Sequence, residues 1–210
     1  MRTLQEWTGW YGPVGTVGAV CAMLLNTGAS AADLVDLSEA VIVVRDAELP
    51  NAEKAAATVL VEELEKRTGI RLAVSTAWPA DKPVIAITSQ AEVPSWGRDI
   101  PVRQGATLPE KRREGHRLYV EGQRSPAVVW ILGSNPRGTL YGVGALLRNL
   151  EWGKGKARLP SSLDIATAPA YLIRGHQLGF RTQANSWDAW NAAQFDQYIR
   201  ELSAPFHKFL

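Results

Sequence analysis

Cysteine is almost absent from this 210-residue chain: Cys21 is the single one. A disulfide framework is therefore excluded, and so are cysteine-held zinc or iron–sulfur centres. Histidine is nearly as scarce. His116, His176 and His207 are widely spaced, with no H-E-x-x-H, so no metal site is visible. There is no G-K-[ST] phosphate loop and no G-x-S-x-G elbow. The net charge is only +2, and Lys111-Arg112-Arg113 is flanked by Glu110 and Glu114. No basic tract is long enough to track a phosphate backbone, so nucleic acid is not an expected partner and that triplet reads as a solvated loop. No apolar run reaches the ~20 residues of a bilayer span. No cofactor is expected.

What is present is an ordinary globular composition, 46% hydrophobic and 21% charged. Residues 14–25, VGTVGAVCAMLL, form an uncharged and mostly apolar run, and Ala29-Ser30-Ala31 follows. That is the order of a secretory signal, with cleavage after Ala31 and no other membrane association. An exported chain, periplasmic or extracellular, is the expectation. The mature chain would then carry no cysteine.

The rest reads as an α/β layer. AVIVVR (residues 40–45) is a short β-branched strand. A helix follows, with Asn51 as its expected N-cap and Gly69 as its stop. Ala52, Ala56, Val59, Leu60 and Leu64 share its apolar face, while Glu62, Glu63 and Glu65 read as solvated charges. Strands are expected over 71–75 and 83–89, then an exposed loop over 90–115. Residues 116–122 and 127–133 read as two strands of a hairpin. Asn135 and Pro136 open a second helix. Gly138 and Gly142 lie inside it rather than ahead of it, so they read as packing positions where the backbone approaches a sheet, not as a phosphate cradle.

The segment GSNPRGTLYGVGALL, with Gly133, Asn135, Pro136, Arg137, Gly138, Tyr141, Gly142, Val143, Leu146 and Leu147, resembles a motif of glycoside hydrolases. It occurs in the N-terminal, non-catalytic, zincin-like domain of family 67 α-glucuronidases and family 20 β-N-acetylhexosaminidases. The resemblance covers about residues 38–168. It implies a mixed β-sheet with two main helices on it, followed by the first βα unit of a truncated (β/α)8 barrel. The domains would be a signal peptide (1–31), the accessory α/β domain (32–168) and the start of the barrel (169–210). Tyr171-Leu172-Ile173-Arg174-Gly175 takes the place of the first barrel strand, whose arginine holds sugar hydroxyls in family 20. Arg174 is thus the substrate-binding candidate, with His176 beside it. Family 20 carries an acidic residue four positions after that glycine, where this chain has Gly179. Residues 186–204 would form the first barrel helix, capped by Ser186.

Glycoside hydrolysis normally needs two positioned carboxylates, and the families place theirs on later strands. No catalytic residue is therefore expected here. The chain reads as a truncated open reading frame whose missing partner is the catalytic barrel. The substrate class implied is xylan-linked glucuronic acid or N-acetylhexosamine. The alternative is a free-standing carbohydrate-binding protein. It draws on the tryptophans outside the signal segment: Trp78, Trp96, Trp130, Trp152, Trp187 and Trp190. Packing is the competing role for each of them.

Overall fold

A computed structural model describes residues 33–89, 96–175 and 190–203 of the chain. The signal segment with its cleavage site, Cys21, His176, Gly179, Ser186, Trp187 and His207 lie outside the described residues. Among the described residues there are nine strands, three α-helices and one 3-10 turn, and no helix is long and apolar enough to cross a membrane.

The centre is a mixed six-stranded sheet in the order β3-β2-β4-β6-β5-β9. Strands β2 (Val41–Val44), β3 (Ala73–Ser75), β4 (Val84–Ser89) and β6 (Val128–Gly133) run parallel. Strand β5 (His116–Glu121) forms the expected antiparallel hairpin with β6, His116 opposite Gly133. Strand β9 (Asp164–Thr167) pairs antiparallel with β5 at the edge. β4 and β6 are buried along their whole length. Both faces of these central strands are covered, so they read as unbroken apolar runs rather than as alternating ones.

Helix α1 (Asn51–Thr68) connects β2 to β3. Its start differs from the expectation. Pro50 is the cap position, Asn51 is already helical, and no side chain caps the end. The Pro50 carbonyl instead accepts from the Glu53 and Lys54 amides at 2.9 and 3.0 Å. Glu53 supplies the negative charge that a helix N-terminus favours, and it pairs at 3.0 Å with Arg45, just beyond β2, both side chains buried. Gly69 stops the helix as expected, at φ 77°, with its N–H on Glu65 O. Glu63 corrects the sequence reading: it is buried, not solvated, and is held by Arg67 at 3.0 Å. It lies three residues after Leu60 and four after Val59, so helical phase carries it onto the buried stripe.

Helix α2 (Pro136–Asn149) lies on the same side of the sheet as α1. Asn135 caps it, its Oδ1 accepting from Gly138 N at 2.9 Å. Gly142 is the close-approach point. A Cβ there would sit 2.6 Å from Ile131 Cγ2 on β6 and 3.4 Å from His116 Cβ on β5. Gly142 therefore serves packing against the sheet, and Gly138 packs against the turn before β5, where a Cβ would collide with the Gly115 carbonyl oxygen.

A second, three-stranded antiparallel sheet was not foreseen. Its order is β1 (Leu34–Asp36), β8 (Lys156–Pro160), β7 (Glu151–Gly153). Val35, Ala157 and Leu159 feed its inner side into the helix-side core. The expected loop over 90–115 is more structured than predicted where it is described. Its 3-10 turn, Pro109–Lys111, buries Glu110 against Arg103 at 2.7 Å.

The expected barrel strand is not formed: residues 171–175 are bends and coil, with Tyr171, Leu172 and Ile173 exposed. A strand exists only through ladder partners, and no neighbouring strand lies beside these residues among those described. The following helix is present as α3 (Ala192–Ser203). It begins at Ala192, with Asn191 before it as the cap, and the expected cap Ser186 lies outside the described residues. Asn191 Oδ1 accepts from Gln194 N at 3.0 Å, and Gln194 Oε1 accepts from Asn191 N at 2.9 Å, a reciprocal capping box.

Candidate functional site

Arg174 is the one sequence-chosen site residue within the described chain, and three elements meet around it. From the turn before β5 comes Glu114, buried, with φ 57°. A left-handed backbone is unusual for a glutamate, and here it delivers the carboxylate to the start of α2. From α2 come Arg137 and Tyr141, four residues apart and so on one helix face. Arg137 Nη1 lies 3.0 Å from Glu114 Oε1. Arg174 Nη2 donates to Glu114 Oε2 and, at 3.2 Å, to the Tyr141 hydroxyl. Its Nη1 donates to the Tyr171 carbonyl at 2.7 Å, and its guanidinium lies 5.5 Å from the Tyr141 ring centroid. The Arg137 and Tyr141 of the quoted motif thus act together on one buried carboxylate and one arginine.

The electrostatics follow from this arrangement. The Arg174 hydrogen bond, with the charges of Arg137, Arg174 and Arg113 behind it, holds the Glu114 carboxyl below its ordinary range despite burial. The same pairing keeps Arg174 firmly protonated.

Beside this cluster lies a cleft of about 640 Å³ between α2, α3 and the end of β9. His116 and Arg148 form part of its wall with Tyr141 and Arg174, and Ile199 and Leu202 of α3 supply apolar surface. His116 is buried, and neither ring nitrogen has a hydrogen-bond partner among the described residues. Burial, aided by the positive charge of Arg148, pushes its pKa down to about 4, so the ring is neutral. Among the described residues the cleft lining contains two arginines and no carboxylate. It can donate to hydroxyls or anions. Among the described residues no cluster could hold a metal ion.

The sequence reading passed over Glu114, Arg137, Tyr141, His116 and Arg148 as site residues. For two of them there was a signal, the i, i+4 spacing of Arg137 and Tyr141. For Glu114 there was none, because its partner lies 60 residues away.

The fold is an α/β domain with a cleft beside its second helix. The model of glycosyl hydrolase family 20, domain 2, matches residues 25–166. The chain belongs to that family: it contains a domain 2 of the family 20 glycosyl hydrolases. Family 20 is one of the two families that it resembles in sequence.

Solved structures give weaker likenesses. A Vibrio harveyi GH20 exo-β-N-acetylglucosaminidase aligns at 15% identity and TM-score 0.43 over 66% of this chain and 17% of its own. A Streptomyces plicatus β-hexosaminidase aligns at 19% and 0.43, over 67% and 24%. A GH115 4-O-methyl-α-glucuronidase with specificity for decorated arabinogalactans aligns at 13% and 0.49, over 65% and 18%. The alignments thus span between 17% and 24% of the length of these solved relatives. No curated protein matches the sequence.

Proposed function

We propose that this chain is the non-catalytic accessory domain of an exported glycoside hydrolase that degrades polysaccharides bearing N-acetylhexosamine or glucuronic acid. Its catalytic carboxylates would lie in a (β/α)8 barrel joined to it, and Arg174 would donate to substrate hydroxyls. The observation that carries this reading is the fixed guanidinium. Glu114, Tyr141 and the Tyr171 carbonyl hold Arg174 from the domain side, next to a cleft that no carboxylate lines among the described residues. Such a site can bind, but an arginine does not protonate a leaving group near neutral pH. The apolar run over 14–25 and Ala29-Ser30-Ala31 support export. A second reading, a free-standing carbohydrate-binding protein, is favoured by the tryptophans of the opposite sheet face.

The test takes the chain from its native host, sequences its N-terminus and assays it on aryl N-acetylglucosaminides and aryl glucuronides. The expected result is a chain starting at Ala32 with no turnover above the buffer rate. A start at Met1 would refute the export reading. Turnover abolished by replacing a residue of this chain would refute the non-catalytic one.

A further inference from the structure

The sheet face that turns away from α1 and α2 has a cover of its own. Val43, Val84, Ala86, Val128, Trp130 and Leu132 point into it. Trp78 and Trp96, from the segments after β3 and β4, lie on top. The three indoles form one cluster, with centroids 5.6 Å (Trp78–Trp130), 5.8 Å (Trp78–Trp96) and 6.3 Å (Trp96–Trp130) apart. Trp130 is wholly buried, whereas Trp78 and Trp96 are only partly so. Their outer surfaces form one wall of an open cleft of about 910 Å³, within the size range of ligand sites. The other walls are polar: Arg98, Asp99, Glu121 and Arg124.

We propose that Trp78 and Trp96, with Arg98, Asp99, Glu121 and Arg124, form a binding subsite for a neutral oligosaccharide. The chemistry is that of pyranose recognition. A sugar ring presents C–H groups on one face and hydroxyls around its rim. Indole surface suits the first, and carboxylates and guanidiniums suit the second by accepting and donating in pairs. Two carboxylates and two guanidiniums give no net charge, so the cleft matches a neutral chain rather than a uronic acid. The wall is also preset. Trp96 Nε1 donates to the Val44 carbonyl at 3.3 Å. The Arg98 guanidinium lies over the Trp78 ring, 4.9 Å from its centroid, so a sugar would share the Trp78 surface with that guanidinium, and Arg124 lies 3.5 Å from Glu121. Side chains already held in place lose less entropy on binding. Packing accounts for the inner sides of Trp78 and Trp96, which rest on Trp130. It does not account for a charged rim around their outer sides.

The inference rests on the proposed role in carbohydrate degradation for its choice of ligand, but it uses the opposite side of the sheet from Arg174. The full chain is titrated by calorimetry with chitotetraose and xylotetraose, alongside Trp78→Ala, Asp99→Asn, Arg124→Ala and Arg174→Ala, each checked for folding by circular dichroism. The expected result is saturable binding of at least one sugar. It weakens by about tenfold or more, roughly 1.4 kcal/mol, in Trp78→Ala and measurably in Asp99→Asn and Arg124→Ala. If Trp78→Ala fails to fold, the two exposed polar variants carry the test. No binding of either sugar, or binding indifferent to Asp99→Asn and Arg124→Ala, overturns the subsite. Binding lost in Arg174→Ala alone would also overturn it and would place the sugar in the α2 cleft. Failure here leaves the accessory-domain reading standing, because that reading is tested by turnover.

Discussion

The two faces of the central sheet are built in different ways. On one face, α1 and α2 lay aliphatic stripes, among them Leu60, Leu64, Val143 and Leu146, over Ile42, Ile85 and Ile131. On the other, loops bring two tryptophans down onto a third. The alternation along each strand sorts the residues: Ile85 and Ile87 face the helices, and Val84 and Ala86 face the loops. A helix covers a sheet with many small contacts at regular spacing. A loop has no such period, so a few large rings do the covering. Register makes room for them: Ala86 on β4 lies directly opposite Trp130 on β6, a small residue beside a large one. The aliphatic stripes of α1 and α2 leave their cleft at the margin, beside α2 and the end of β9, while the loop-covered face keeps one over its tryptophans.

The sharpest way to break the comparison is to empty one side. Trp130→Ala should cost about 3–5 kcal/mol, as for a fully buried aromatic, and Trp78→Ala much less. Urea unfolding midpoints would measure both. Equal losses would mean that Trp78 is as much core as Trp130. The second test belongs to the helix side and to acid. His116 has a folded pKa lowered to about 4 from 6.5. The folded state therefore favours the neutral ring, and that stabilisation is present above 6.5 and lost as pH falls from 6.5 to about 4. It amounts to at most about 3 kcal/mol. His116→Gln should flatten the pH dependence of stability in that interval. The carboxylates held low, Glu114 and Asp164, lose their contributions at more acid pH. Identical slopes for wild type and variant between pH 6.5 and 4 would remove His116 as the cause. The smallest effect comes from overfilling the helix side. Gly142→Leu should cost about 1–3 kcal/mol, because the space beyond Gly142 is filled by Ile131 and His116. A thermal melt unchanged by the substitution would show that α2 can retreat from the sheet.

The same contrast explains what was legible in the sequence. The β-branched runs of β2, β4 and β6, the α1 stop at Gly69 and the Asn135-Pro136 start of α2 all carry local signals, and all are found. β8 was missed although Lys156–Pro160 buries alternate residues, Ala157 and Leu159. Its charges and short length hid the period. Residues 171–173 are apolar enough for a strand, but apolarity does not supply a ladder partner. The accessory-domain type was readable because its motif is contiguous. The Glu114–Arg174 pair was not, because EKRREGH read locally is a hydrated turn. Only the folded chain brings residue 174 over it.

The rim of the six-stranded sheet has a consequence for how copies of this protein meet. Its outermost strands are short, three residues in β3 and four in β9, while β4, β5 and β6 have six each. At the β9 edge, Arg117 grips Asp164 with two hydrogen bonds of 2.8 Å. A free strand edge is a template for a neighbouring chain, and short, charged edges offer poor templates. Among the described strands, the shortness of β3 and the Arg117–Asp164 pair at β9 therefore work against growth of one sheet into the next, which discourages stacking of copies into fibres.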